Sequence, residues 1–155
     1  MGLPEGKLRV HVMFLESIYA GNVDEAYSYL YQLLMEREDH ESISHNDMPT
    51  WKEHEQFIDR RPYKSWSLIH IDVTTVVGSI YLTHKNEIGV HIFKKYRRNG
   101  YGEAAIRELI KTHPERSFYA NINPANQKSI DLFTKLEFTH IQNTYKLERK
   151  TDAGA

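Results

Sequence analysis

The sequence predicts an α/β (α+β) domain built on a mixed, mostly antiparallel sheet with helices on its faces. Three observations carry that expectation. In the first third, apolar and aromatic residues recur at helical spacing in two segments. From Ser65 the period changes to extended, in β-rich runs joined by links too short for crossovers. After Gly100, helical and β-rich segments alternate.

Residues 7–15, rich in Val, Leu, Met and Phe, read as a first strand. Asn22-Val23-Asp24-Glu25 reads as a capping box, with Asn22 capping and Glu25 reaching back. Val23, Ala26, Tyr27, Leu30, Leu33 and Leu34 then give a helix over 23–36 one buried face. The polar loop "REDHESISHNDMP" follows. Thr50-Trp51-Lys52-Glu53 is a second capping box, opening a helix on which Trp51, His54, Phe57 and Ile58 share a side, and "RRPY" ends it. "SWSLIHI", "TVVGSIYLT" and "NEIGVHIF" are three strands whose links, "DVT" and "HK", suit antiparallel hairpins. A glycine-bearing turn opens a helix over 100–111. "SFYANI" is a further strand, 126–136 a further helix, and "FTHIQ" with "TYKLER" a closing pair of strands. The order β-α-α-β-β-β-α-β-α-β-β amounts to six to seven strands flanked by about four helices. No shift of composition marks a boundary, so residues 1–155 are expected to form a single domain, with 1–6 and 151–155 as loose ends.

With 40% hydrophobic and 26% charged residues and a formal charge of −1, the chain is balanced like an ordinary globule. That argues against a nucleic-acid or membrane-surface protein as a whole, while permitting a local basic patch. Without cysteine there is no disulfide, no thiolate nucleophile and no cysteine metal site, which fits a reducing cytoplasm. The apolar stretch near the N-terminus is broken by His11 and Glu16, unlike a signal peptide. Gly6 stands where N-myristoylation wants Ser or Thr, and no apolar run approaches membrane-spanning length. His40, His45 and His54 make no metal pattern, because "HEQFI" lacks the second histidine of H-E-x-x-H; no metal is expected.

The chemistry gathers in "VHIFKKYRRNGYGEAAIRELI", residues 90–110. A β-like run meets Lys94, Lys95, Arg97 and Arg98, then Gly100 and Gly102, then an amphipathic helix. The first turn of a helix has N–H groups without intrahelical partners, and the dipole adds positive potential there. Glycines let an anion approach the backbone, and arginine grips phosphate through two bonds. It is no Rossmann fingerprint, since Ala105 stands where a third glycine is needed, and no P-loop, since no G-K-[ST] follows. No basic stripe or stacking platform accompanies it, so nucleic acid is not the expected partner. On these residues alone the turn is either an anion site or a solvated basic surface.

Two motifs together carry a resemblance. "RRNGYG", 97–102, matches the Q/R-x-x-G-x-G/A motif of the GNAT superfamily of N-acetyltransferases, in its place after the fourth strand. "NPANQKSIDLFTKLEF", 123–138, resembles that family's second signature, roughly N-x-x-N-x-x-S/A-x-x-x-[YF]-x-K-x-G-F. The element order is similar too. The resemblance implies a sheet splayed between its fourth and fifth strands, with acetyl-coenzyme A as cosubstrate in the opening. Its pyrophosphate would rest on the turn, drawing in Arg97, Arg98, Asn99, Gly100, Tyr101 and Gly102. Its pantetheine would pair like a strand near Val90, Ile92 and Phe93, and Asn126 looks like the family's coenzyme-contacting asparagine. Asn126 is equally placed to cap its helix.

The resemblance also implies direct attack of an amine on the thioester in a ternary complex, without an enzyme nucleophile. Such chemistry needs a base, polarisation of the carbonyl and a proton for the thiolate. Glu87 and His91 are the candidates for the base. Both lie on the fourth strand, where alternation puts 87, 89, 91 and 93 on one face unless a bulge intervenes. The structural alternatives are a Glu87–Lys85 pair and a packed, hydrogen-bonded His91. At the acid the sequence departs from the family, with Phe133 where many members carry tyrosine and Glu137 in place of glycine. Tyr101 or a water is then the candidate donor, or the thiolate leaves unaided.

For the acceptor, Trp51, His54 and Trp66 are candidates that core packing explains as well. The run "PTWKEHEQFI" faintly resembles members acting on nucleotide-linked amino sugars, and more faintly those acting on protein N-termini. The acidic loop, with Glu38, Asp39, Glu41 and Asp47, would favour a cationic amine or is simply solvated. The leading expectation is a small-molecule N-acetyltransferase, monomeric or homodimeric, acting on an amino sugar, aminoglycoside or polyamine. A protein or peptide acetyltransferase and a non-catalytic acyl-coenzyme A binder are the alternatives.

Overall fold

The computed structural model describes residues 13–41 and 47–150. Its centre is an antiparallel sheet of four strands in the order β1-β2-β3-β4: Phe14–Ser17, Ser65–His70, Val76–Leu82 and Ile88–Ile92. The links predicted as hairpins are hairpins. β4 pairs with β3 without interruption from Leu82↔Ile88 to Gly78↔Ile92. The one register slip lies between Ile69 and His70 of β2, opposite an extra residue on β3. Alternation along β4 is therefore intact, and Glu87, Gly89, His91 and Phe93 share one face of the sheet.

Helices α1 (Val23–Glu36) and α2 (Trp51–Asp59) cover that face. Ala26, Tyr27, Leu30 and Leu33 of α1 are buried with Ile58 of α2 against Trp66, Leu68, Val76 and Phe93. Asn22 caps α1 by accepting from the N–H groups of Asp24 and Glu25 at 3.1 and 3.3 Å, although no return bond from Glu25 accompanies it among the described residues. At α2 the box is complete: Thr50 accepts from Glu53 N–H at 3.2 Å and Glu53 accepts from Thr50 N–H at 3.1 Å. The opposite face carries Ile69, Val77, Ile80, Leu82 and Ile88, packed against Tyr101, Ala105, Ile106 and Leu109 of α3 (Tyr101–Thr112) and Phe133 of α4 (Gln127–Lys135). The result is helix, sheet, helix, with a separate core on each side.

The structure corrects the strand count. Only four strands form among the described residues, not six to seven. "SFYANI" meets β4 at a single parallel bridge, Glu87↔Tyr119, with Ile88 N–H donating to Tyr119 O at 2.7 Å and Tyr119 N–H to Asn86 O at 2.9 Å. Beyond it the two backbones diverge, so no ladder can propagate. "FTHIQ" and "TYKLER" then have no sheet edge to extend, and Ile141, Tyr145 and Leu147 are left 67–90% exposed. β propensity reflects packing on a pleated surface, and without that surface it is not realised. Most of the predicted first strand lies outside the described residues, and β1 runs to Ser17. The acidic loop contains a short 3-10 turn at Asp39–Glu41.

α4 ends in a motif that accounts for the family's closing Gly-Phe. Glu137 has φ 70°, Glu137 N–H donates to Thr134 O at 3.0 Å and Phe138 N–H to Phe133 O at 2.9 Å. These are the paired bonds of a Schellman cap, sealed by edge-to-face contact of Phe133 and Phe138 at 5.0 Å. Glycine fits the left-handed position without strain; here a glutamate occupies it.

Candidate functional site

A cleft of about 840 Å³ opens where β4 and residues 121–123 part. At one end is the turn between β4 and α3. Arg98 and Gly100 are left-handed, at φ 67° and 79°, and Asn99 ties the turn by donating from Nδ2 to Tyr96 O and Arg97 O at 3.0 and 3.1 Å. Such a backbone turns successive N–H groups toward one side. The N–H groups of residues 98–103 find no acceptor among the described residues, and α3 has no side-chain cap. Positive potential at this helix end therefore faces the cleft, and the carboxylate of the first turn, Glu103, is paired with Arg107 and Lys135. A Cβ on Gly100 would meet nothing within 4 Å and project into open space, whereas one on Gly102 would touch Ile92 and Leu132 at ordinary contact distance. The cradle thus depends on Gly100, and its lining and chemistry suit a phosphate.

β4 forms one wall. Thr83 N–H donates to Glu87 O and Phe93 N–H to Val77 O, both at 2.9 Å, so the odd-numbered residues bond to β3. Alternation turns the N–H and C=O of Val90 and Ile92 the other way, into the cleft. Their side chains pack toward α3 and α4, with Tyr101 and Phe133 also lining this part. Phe93 is elsewhere: its ring is buried against Tyr29 and outside the cleft lining. Asn126 lines the cleft while capping α4, its Oδ1 accepting from Ser129 N–H at 3.2 Å. Both readings of that residue meet in one position.

At the apex of the split sits Glu87. Thr83 Oγ1 donates to its Oε1 at 3.0 Å and Asn121 Nδ2 donates to its Oε2. The carboxylate is thus aimed by two neutral donors and makes no ion pair with Lys85 among the described residues. His91, two residues beyond Gly89 on the same face, looks toward Tyr81 at 6.2 Å between ring centres. Burial, with the Arg37 and Arg97 cations nearby and only Glu41 opposing, lowers its pKa to about 4. A neutral imidazole at physiological pH follows.

Tyr81 lies over Gly89, its partner across the strands: a Cβ there would fall 2.0 Å from the tyrosine ring. Tyr63 stacks on Tyr81 at 4.0 Å, and burial raises the pKa of both hydroxyls. Two acidic residues of the loop, Glu38 and Glu41, are engaged. Lys94 Nζ donates to Glu38 at 3.0 Å, and Arg97 spans both oxygens of Glu41 at 3.1 and 3.3 Å while its Nε donates to Ile92 O at 3.1 Å.

Sequence reasoning brought Arg97, Arg98, Gly100, Tyr101 and Gly102 of the turn, with Val90, Ile92, Glu87, His91 and Asn126, to one cleft; Asn99 braces the turn from outside the lining. It did not bring the acceptor candidates there. Trp51, His54 and Trp66 stand outside its lining. His54 is buried with Nε2 on Tyr27 O at 2.9 Å, its pKa lowered by burial, and Trp51 packs on Tyr27 and Tyr31. Trp66 lies in the core, its indole N–H without an acceptor among the described residues. Missed were Arg37, Tyr63, Tyr81 and Asn121. Of these only Tyr81 had a readable signal, a large ring opposite a strand glycine.

The Acetyltransferase (GNAT) family model matches residues 27–138, which span both core faces and the whole cleft. The chain belongs to the GNAT acetyltransferase family. Among solved structures, an acetyltransferase from Thermus thermophilus is similar at TM-score 0.68 and 15% identity, over 87% of this chain and 92% of that one. A domain from Methanocaldococcus jannaschii follows at 0.67 and 18%, over 85% and 91%. A chimera of spermidine N-acetyltransferase SpeG from Vibrio cholerae and hSSAT gives 0.64 and 12%, over 84% and 83%. At these identities the structural likeness speaks for the fold. A search of curated sequences gives no significant match. Among the described residues no helix is long and apolar enough to cross a membrane.

Proposed function

We propose that this GNAT protein transfers an acetyl group from acetyl-coenzyme A to a primary amine of a small molecule, by direct attack within a ternary complex. One observation carries the reading: a single cleft joins a turn whose N–H groups find no acceptor among the described residues to an oriented carboxylate, along a strand edge where Ile92 O accepts from Arg97 but Val90 turns both backbone groups to the cleft. The turn at 98–103 would hold the pyrophosphate, helped by Arg98 and Lys128 at the rim. Val90 and Ile92 would pair with the pantetheine as a neighbouring strand does. The thioester then lies toward Glu87 and His91, and Glu87 takes the proton from the attacking amine directly or through water. His91, neutral, is suited to donate or accept a hydrogen bond and not to carry charge. Arg97 serves from behind, clamping Glu41 to the strand end instead of gripping phosphate itself.

Spermidine acetyltransferases among the fold neighbours support amines as the acceptor class. A second reading, an acyl-coenzyme A binder without turnover, draws on Phe133, which lines the cleft where a proton donor is expected. Turnover of acetyl-coenzyme A over a panel of small amines and peptides separates the two. Gly100→Val tests the turn by calorimetry with coenzyme A: binding should fall below detection while the fold survives, since the new side chain meets only open space and strains one residue by roughly 1–2 kcal/mol. Undiminished binding would remove the pyrophosphate assignment.

A further inference from the structure

Besides Arg98, Glu103 and Lys128, six charged side chains line the cleft among the described residues: Arg37, Lys94 and Arg97 against Glu38, Glu41 and Glu87. Two pairs cancel. Lys94 is held by Glu38 and Arg97 by Glu41, and His40 lies beside both carboxylates, at 3.3 Å from Glu38 and 3.9 Å from Glu41. Both carboxylates thus already have a cation beside them, which leaves less of their charge for a cationic acceptor. What remains is one anion and one cation. Glu87 is fixed by neutral donors at the apex. Arg37 has no ion pair and no side-chain hydrogen bond among the described residues, yet it is half-buried.

Arg37 ends α1, with helix carbonyls behind it, and a cation is favourable there for that reason alone. That does not explain where its charge goes. The guanidinium lines the cleft with Tyr63, Tyr81 and His91, and its field acts on all three rings. On top of burial, Glu87 raises the pKa of Tyr81 and Arg37 lowers it, so both charges lie near that ring. The two charges without an opposite partner among the described residues thus line one cleft together with the stacked rings of Tyr63 and Tyr81.

We infer that the acceptor is an amine that also carries an anionic group, a carboxylate or a phosphate, with the anion on Arg37 and the amine at Glu87. The inference rests on the acetyltransferase reading above and narrows it. A planar guanidinium suits either anion through two parallel bonds. A polycation such as spermidine would place a second positive charge against Arg37, and a half-buried site makes that mismatch costly.

The test is a set of matched acceptors: amino acids with their carboxamides, amino-sugar phosphates with the free amino sugars, and spermidine. In the parent protein one anionic series should exceed its uncharged partner in kcat/KM by about 10- to 100-fold, the range of a charge-assisted hydrogen bond. The carboxylate and phosphate series tell the two sources apart. Arg37→Gln should bring that ratio down to about one, and Arg37→Lys should restore part of it. Coenzyme A affinity, measured alongside by calorimetry, reports that the cleft is intact. Acetylation with no charge preference, preference for spermidine, or a ratio unchanged in Arg37→Gln overturns this inference and leaves the acetyltransferase reading standing. Coenzyme binding with no acetylation of any amine overturns both.

Discussion

Acid should weaken this protein through His91. The imidazole is walled by the sheet, Tyr81, Arg37 and Arg97, and its pKa lies at about 4 against an ordinary 6.5. Above 6.5 neither the folded nor the unfolded chain binds the proton, and the histidine's neutral packing contributes fully. Between 6.5 and about 4 the unfolded chain takes the proton and the folded one does not, so stability falls with pH; below that both are protonated and the loss stops. Each pH unit is worth about 1.36 kcal/mol, which sets a ceiling of roughly 3 kcal/mol. His91 keeps some surface toward the cleft, and water there reduces the expected loss to about 2 kcal/mol. His54, also lowered, adds to the decline but is common to both proteins in a comparison. Urea unfolding of the parent and of His91→Gln from pH 7.5 to 4 isolates the difference. The two stability curves should converge as pH falls, the parent losing about 2 kcal/mol more than the variant. Parallel curves would refute the burial argument.

Glu87→Gln keeps the shape and one acceptor oxygen for Thr83, its new NH2 group meeting Asn121 once that amide turns its oxygen inward, but it cannot take a proton. It should lower kcat/KM for the best amine by roughly 10²- to 10⁴-fold, with coenzyme A affinity unchanged, and a drop below threefold would exclude Glu87 as the base. Glu137→Gly removes a left-handed glutamate from the Schellman cap of α4. It should stabilise the fold by about 1 kcal/mol, the strain relieved less the added freedom of the unfolded chain. A neutral or destabilising result in denaturant unfolding would show that Glu137 is not strained.

The elements legible in the sequence were those fixed by local chemistry. Thr50 and Glu53 cap a helix wherever it lies, "DVT" and "HK" are too short for anything but hairpins, and the glycine turn sits between a strand and a helix. The two motifs placed the cleft for the same reason. The failures were all non-local. "SFYANI" has strand composition, but its partner strand leaves after one bridge, and nothing in residues 117–122 encodes that divergence. Trp51, His54 and Trp66 looked functional because aromatic and histidine side chains serve cores and sites alike, and only packing separates the two. Arg37 was invisible because its meaning depends on other charges being spent, which no spacing reveals.

The single bridge at Glu87 and Tyr119 makes the cleft a two-pronged fork with a narrow stem. One prong, β4, is braced by β3; the other carries residues 121–123 and leads to α4. When such a fork flexes, displacement grows with distance from the stem and vanishes at it. Glu87 is seated at the stem, held from one prong by Thr83 and from the other by Asn121. The tips, where Asn126 and the glycine turn stand, can yield to a long flexible molecule while the carboxylate keeps its aim.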